Sequence, residues 1–181
     1  FYLVDEYRKG RTPNPDVMCN KEIKFGIFFD WAIAHGADYI ATGHYVRLLK
    51  TINYKLKTSR DAHKDQSYFL WTLTQKELRK TLFPIGDYTK PEVRELARQY
   101  GLPVAEKKDS QGICFVGEGN MAEFLKDYIK PGMGKIRTTS GRVVGTHDGI
   151  EFYTIGQRHG IGFRGGGPPV YVAEKMADTK T

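Results

Sequence analysis

The sequence predicts an α/β chain followed by a small, mainly β module, on three observations. Phe25, Phe28, Phe29, Ala32 and Ile33 fall at i, i+3, i+4, i+7 and i+8, one apolar stripe of a helix that ends near Gly36. Residues 37–42 then read as a short strand ending at Gly43-His44, the helix-then-strand order of a parallel α/β layer. From residue 135 onward the composition shifts to glycine with only short β-prone pieces.

The remaining elements follow in order. Residues 45–58 read as a hairpin, with Tyr45 to Leu48 and Tyr54 to Lys57 flanking a polar turn near Thr51 to Asn53. Thr74-Gln75-Lys76-Glu77 and Thr89-Lys90-Pro91-Glu92 are helix starts in which a hydroxyl accepts from the N3 amide while Glu reaches back. The second helix should run to Gly101 with Val93, Leu96, Ala97 and Tyr100 inward, glycine suiting the left-handed position after the helix. Phe124, Leu125, Tyr128 and Ile129 suggest a linking helix from Asn120 that Pro131-Gly132 stops. Strands are expected at 135–138, 142–144, 152–154 and 170–172. The domain boundary is placed near 120, giving units 1–120 and 121–181, with no internal repeat.

Composition bounds the function. The 181 residues hold 28 Lys and Arg against 21 Asp and Glu, a net charge of +7, which excludes an acidic solvating tail. No apolar run approaches the roughly 18 residues of a membrane span, so a soluble chain with no membrane partner is expected. The opening Phe1-Tyr2-Leu3-Val4 has no secretory signature, and the piece reads as cut from something longer. Two cysteines, Cys19 and Cys114, make no disulfide framework and no C-x-x-C, which points to a reducing compartment. The basic balance suits a nucleic-acid partner, and equally a solvated surface.

Four segments could carry chemistry. In Asn14-Pro15-Asp16-Val17-Met18-Cys19-Asn20 a turn holds a carboxylate three residues before a thiol. Such a carboxylate can move a proton, and Lys21 and Lys24 would favour the thiolate of Cys19, lowering its pKa from about 8.5. On residue chemistry alone, a turn with a buried Cys acting as a small hydrophobe is the preferred reading. Lys107 to Phe115 is a basic, glycine-containing loop running into an apolar strand, where Cys114 suits a reactive or a buried role alike. Thr42-Gly43-His44-Tyr45 sits where a strand meets a loop, the edge at which α/β ligands lie; Gly43 would admit a nucleotide near the backbone, and His44 fits a contact better than a base. Lys64-Asp65-Gln66-Ser67-Tyr68-Phe69-Leu70-Trp71 could grip phosphate and stack bases, although burying its aromatics in the core is slightly preferred. Gly165-Gly166-Gly167 has no following helix and is rejected as a phosphate cradle. No metal-ligand spacing stands out.

Taken in order, Gly10 to Asn20, Ala41 to Tyr45, Lys64 to Leu70, Lys108 to Phe115 and Gly156 to Gly160 resemble the tRNA-specific 2-thiouridylase family over nearly the whole chain. The resemblance implies a partial nucleotide-binding α-hydrolase-like (Rossmann-like) α/β domain followed by a small mainly β central domain. It implies an ATP-dependent sulfurtransferase that replaces the C2 oxygen of the wobble uridine of tRNA with sulfur. ATP, with Mg2+, adenylates the oxygen, and a cysteine persulfide, its sulfur delivered by a donor protein, attacks the activated carbon. Cys114 matches the persulfide-bearing cysteine. Cys19 matches the cysteine that attacks the persulfide, releases the sulfur and leaves a disulfide with Cys114. Asp16 matches the general acid/base. Asn14, Pro15 and Asp16 match the segment touching the target base, Gly43 an ATP contact, His44 a tRNA contact, and Lys64, Asp65 and Gln66 another tRNA segment.

The Ser-Gly-Gly-x-Asp-Ser pyrophosphate loop and the C-terminal β-barrel of that family have no counterpart in these 181 residues. The chain by itself is therefore expected to be inactive in thiolation, a point that robust ATP-dependent turnover would overturn. A bacterial cytoplasm is expected over an organelle matrix. The rival readings are a non-catalytic RNA-binding module, resting on charge and on the 64–71 segment, and a dithiol redox sensor that would function without ATP.

Overall fold

The structure is a computed structural model that describes residues 2–107, 121–162 and 167–181. It divides into two compact units, one of residues 14–111 and one of residues 1–13 with 112–181. The first helix, α1 (Tyr2–Arg8), belongs to the latter.

The 14–111 unit begins with a short helix, α2 (Pro15–Met18), which passes directly into a π-helical stretch, Cys19–Ile27, and then α3 (Phe28–Ala34). Phe25, Phe29 and Ala32 are buried and Ile33 packs partly against them, as the stripe predicts. Phe28 departs from it. The Phe28 amide donates to the Ile23 carbonyl five residues back, so the wider winding breaks the α-helical phase. Phe28 is half exposed and stacks on Trp31, ring centroids 6.3 Å apart.

The chain then forms β1 (Ile40–Ala41), β2 (Val46–Lys50) and β3 (Tyr54–Thr58). The last two are the expected hairpin, antiparallel with Val46 opposite Thr58 and Lys50 opposite Tyr54. A 3-10 turn at Ser67–Phe69, α4 (Gln75–Leu78), β4 (Thr81–Leu82) and α5 (Lys90–Gln99) follow. β4 pairs in parallel with β1, which confirms the parallel layer, but at two residues it was too short to show a period. Both capping boxes form: Glu77 Oε2 accepts from the Thr74 amide at 2.8 Å, and Glu92 Oε2 from the Thr89 amide at 2.6 Å. Gly101 takes φ +63° after α5, where a side chain would be strained. Val93, Leu96 and Ala97 are half-buried, but Tyr100 is 76% exposed, because the helix ends at Gln99 and Tyr100 already lies at the cap. Phe25, Phe29, Ala32, Ile40, Val46 and Leu70 close the core of this unit.

The second unit contains α6 (Met121–Lys126), β5 (Gly134–Arg137) and β6 (Val143–His147). Val4 and Tyr7 of α1 pack with Leu125 and Ile129 into one buried cluster, joined by Phe124 and Phe152. Two of the four expected strands form an antiparallel pair with an irregularity at Ile136/Arg137. The other two do not. Ile150–Phe152 is a 3-10 turn with Ile150 buried, and among the described residues Val170 to Val172 gains only two backbone bonds, Gly156 amide to Val172 carbonyl and Val172 amide to Gln157 carbonyl. Gly156 has φ +85°, which breaks the extended backbone a ladder requires.

Candidate functional site

Asn14 caps α2: its Oδ1 accepts from the Asp16 amide at 3.1 Å and the Val17 amide at 3.2 Å, with Pro15 pre-set in the first turn. Asn14 is itself exposed, Asp16 and Cys19 are half-buried, and Val17 is buried beneath them. The Cys19 amide donates to the carbonyls of Pro15 and Asp16, so thiol and carboxylate lie one helical turn apart. A carboxylate at this separation can take or give a proton to a group held beside the thiol. Of the two expected cations, Lys21 pairs with Glu22 at 3.2 Å.

The next residue is Asn20, which carries no sequence signal of its role. It is 2% exposed; its Nδ2 donates to the Phe69 carbonyl at 3.4 Å and its Oδ1 has no partner among the described residues. It ties the thiol-bearing turn to the end of the 64–71 segment. No local pattern marks such a residue, since its partner stands 49 positions away.

His44 lies within the same unit, buried, with its ring 6.0 Å from that of Phe25 and its Nδ1 2.9 Å from the Thr42 hydroxyl oxygen. Burial, reinforced by the Lys24 charge, pushes its pKa down to about 4, so the imidazole is neutral near pH 7. Gly43 is exposed after β1, and among the described residues no atom beyond its own chain neighbours stands within 4 Å of where a Cβ would be. This open backbone beyond the strand's carboxyl end fits the approach of a nucleotide.

Asp65 and Gln66 are held inside the fold. Asp65 accepts from the Ser59 amide and the Ser67 hydroxyl, both at 2.7 Å. Gln66 accepts from the Tyr45 amide at 3.0 Å through Oε1, while its own amide donates to the Tyr45 carbonyl at 2.9 Å. They latch the base of the β2–β3 hairpin, while Lys64 is exposed. Tyr68 and Trp71 are also exposed, whereas Leu70 is fully buried, so only part of the aromatic run enters the core.

The structure thus brings Asn14, Pro15, Asp16 and Cys19 onto one turn, with Gly43, His44, Asp65 and Gln66 in the same unit. Cys114 and the loop from Lys108 lie outside the described residues. Among the described residues no three His, Cys, Asp or Glu side chains gather to hold a metal ion, and no helix is long and apolar enough to cross a membrane.

Residues 1–118 match the family model described as tRNA methyl transferase HUP domain, and residues 122–181 that of the tRNA methyl transferase PRC-barrel domain. Similar proteins include the tRNA-specific 2-thiouridylases MnmA of Bacillus thuringiensis (strain Al Hakam), Bacillus cereus (strain Q1) and Bacillus anthracis. Each is 55% identical over 175 residues, covering 96% of this chain and 47% of the relative. The chain therefore spans about half the length of the curated relatives it matches. With a Rossmann-like HUP domain followed by a small PRC-barrel-like β domain, the chain belongs to the family of the tRNA-specific 2-thiouridylases.

Proposed function

We propose that the protein to which this chain belongs replaces the C2 oxygen of a tRNA wobble uridine with sulfur. The observation that carries the reading is the 55% identity to tRNA-specific 2-thiouridylases across 96% of the chain. A carbonyl oxygen is a poor leaving group, and ATP supplies the adenylyl group that turns it into a good one. Asn14, Pro15 and Asp16 sit against the target base, with the Asn14 cap fixing the angle at which the Asp16 carboxylate meets the reacting atoms. Asp16 moves the proton, Gly43 receives the nucleotide at its open backbone, and His44 meets the tRNA as a neutral hydrogen-bonding ring.

Cys114 carries the sulfur as a persulfide received from a donor protein. The Cys19 thiolate attacks the Cys114 sulfur of the persulfide, and the S–S bond breaks to release the outer sulfur as hydrosulfide and leave a Cys19–Cys114 disulfide. The hydrosulfide adds to C2 and expels AMP with the former C2 oxygen. That disulfide requires Cα atoms about 4.4 to 6.8 Å apart, so the proposed cycle has the two thiols come together at that stage. The half-buried setting of Cys19 beside Asp16 supports its part. The Bacillus origin of the relatives and the two-thiol composition support a bacterial cytoplasm as the site of action.

The test uses the intact protein with tRNA, ATP and a persulfide-bearing donor protein as the only sulfur source, with no free sulfide added. Cys114→Ser and Cys19→Ser should each abolish 2-thiouridine, read by nucleoside mass spectrometry, while tRNA binding is retained. Undiminished thiolation by either variant refutes the role given to that cysteine. A wild-type protein that binds tRNA and never thiolates it would favour the non-catalytic RNA-binding module.

A further inference from the structure

The charge of this chain is concentrated in one place. Residues 45–64 hold six Lys and Arg against a single Asp, while the other 161 residues hold 22 against 20. Five of the seven net positive charges therefore fall on the β2–β3 hairpin and the short loop after it.

The register sets which way they face. Val46, Leu48 and Leu56 alternate with Arg47, Leu49, Lys55 and Lys57; Val46 and Leu56 belong to the core, so the second set faces outward. Arg47 stands directly opposite Lys57, and Leu49 opposite Lys55. Like charges placed opposite each other weaken a strand pair. Arg47 is eased by Asp87, 3.8 Å away, and by its donation to the Thr58 carbonyl at 2.8 Å. Among the described residues Lys55 and Lys57 have no acidic partner, and both are exposed. They lie two residues apart on one face, about 7 Å along the strand, the scale on which successive phosphates follow each other in a nucleic-acid strand.

The base of the hairpin is rigid. Tyr45 gives both its backbone groups to Gln66, so the strands leave and re-enter the unit at one latched point between His44 and Lys64. A latched cationic face gives a polyanion a fixed register, which a disordered basic loop does not.

We propose that the outward face of the β2–β3 hairpin, through Lys55 and Lys57, docks the tRNA phosphate backbone. This rests on the tRNA reading above and adds a surface to it. In the intact protein, Lys55→Gln/Lys57→Gln should make the log–log salt dependence of tRNA affinity shallower by about 1.5, each lost phosphate contact removing about 0.7 to 0.9. The KM for tRNA should rise in parallel. Lys126→Gln, an exposed change on α6 where Lys126 pairs with Glu123, should leave the slope as it is. Wild-type binding with an unchanged slope in the double variant overturns the hairpin assignment alone. A shift half as large from Lys126→Gln, which removes one charge against two, overturns it too, by making the effect one of net charge. A wild-type protein that fails to bind tRNA overturns both readings.

Discussion

His44 couples the fold to pH at the level of a single side chain. Its folded pKa of about 4 lies below the ordinary imidazole value, so between the two the unfolded chain binds a proton that the folded chain refuses. Stability is therefore undiminished by this group above about pH 6.5 and falls as pH drops toward 4. The loss between pH 7.5 and 5 amounts to about 2 kcal/mol at 1.36 kcal/mol per pH unit. His44→Asn should remove that part of the pH dependence in urea unfolding; an identical dependence in variant and wild type would show that the ring is not protected from protonation. His44 could be marked from sequence as a contact residue beside a strand end, but its neutrality could not. That depends on Phe25 and Lys24, which only the fold brings near. Asn20 is the complementary case, a buried amide whose partner is remote in sequence.

Among the elements, the local hydrogen-bonding signals were the most legible. The boxes at Thr74 and Thr89 and the glycine stop at Gly101 are satisfied within a few residues, so sequence suffices to place them. The cap on α2 has a chemical consequence as well. Asn14→Ala leaves the Asp16 and Val17 amides without their acceptor, which should cost about 1 kcal/mol. If Asp16 has the role proposed above, the same change in the intact protein should also slow thiolation several-fold, because these bonds hold the Asp16 backbone. A normal rate in the destabilised variant would separate the cap from the chemistry. The π-helical turn after it was not legible, because i→i+5 bonding leaves no distinctive residue pattern and shifts Phe28 out of the expected stripe.

For the whole molecule, long-range packing decides what local pattern leaves open. α1 joins α6 across more than a hundred residues, through Val4 and Tyr7 against Leu125 and Ile129. Leu125 is 1% exposed, and Leu125→Ala should cost about 3 kcal/mol. Amide protection should fall in α1 and α6 together; loss confined to α6 would show that α1 is held by something else. The sequence by itself determined the α/β class, the hairpin, the capped helices and the family resemblance. These rest on residue periods, capping hydrogen bonds and motifs, all contained in short stretches of chain. Only the tertiary structure decided the parallel β1–β4 pair, the neutral His44, the latch of Gln66 on Tyr45 and which face of the hairpin carries its lysines to the surface. Each of these depends on groups distant in sequence meeting in space, where burial and partner geometry, and not local propensity, set the energy.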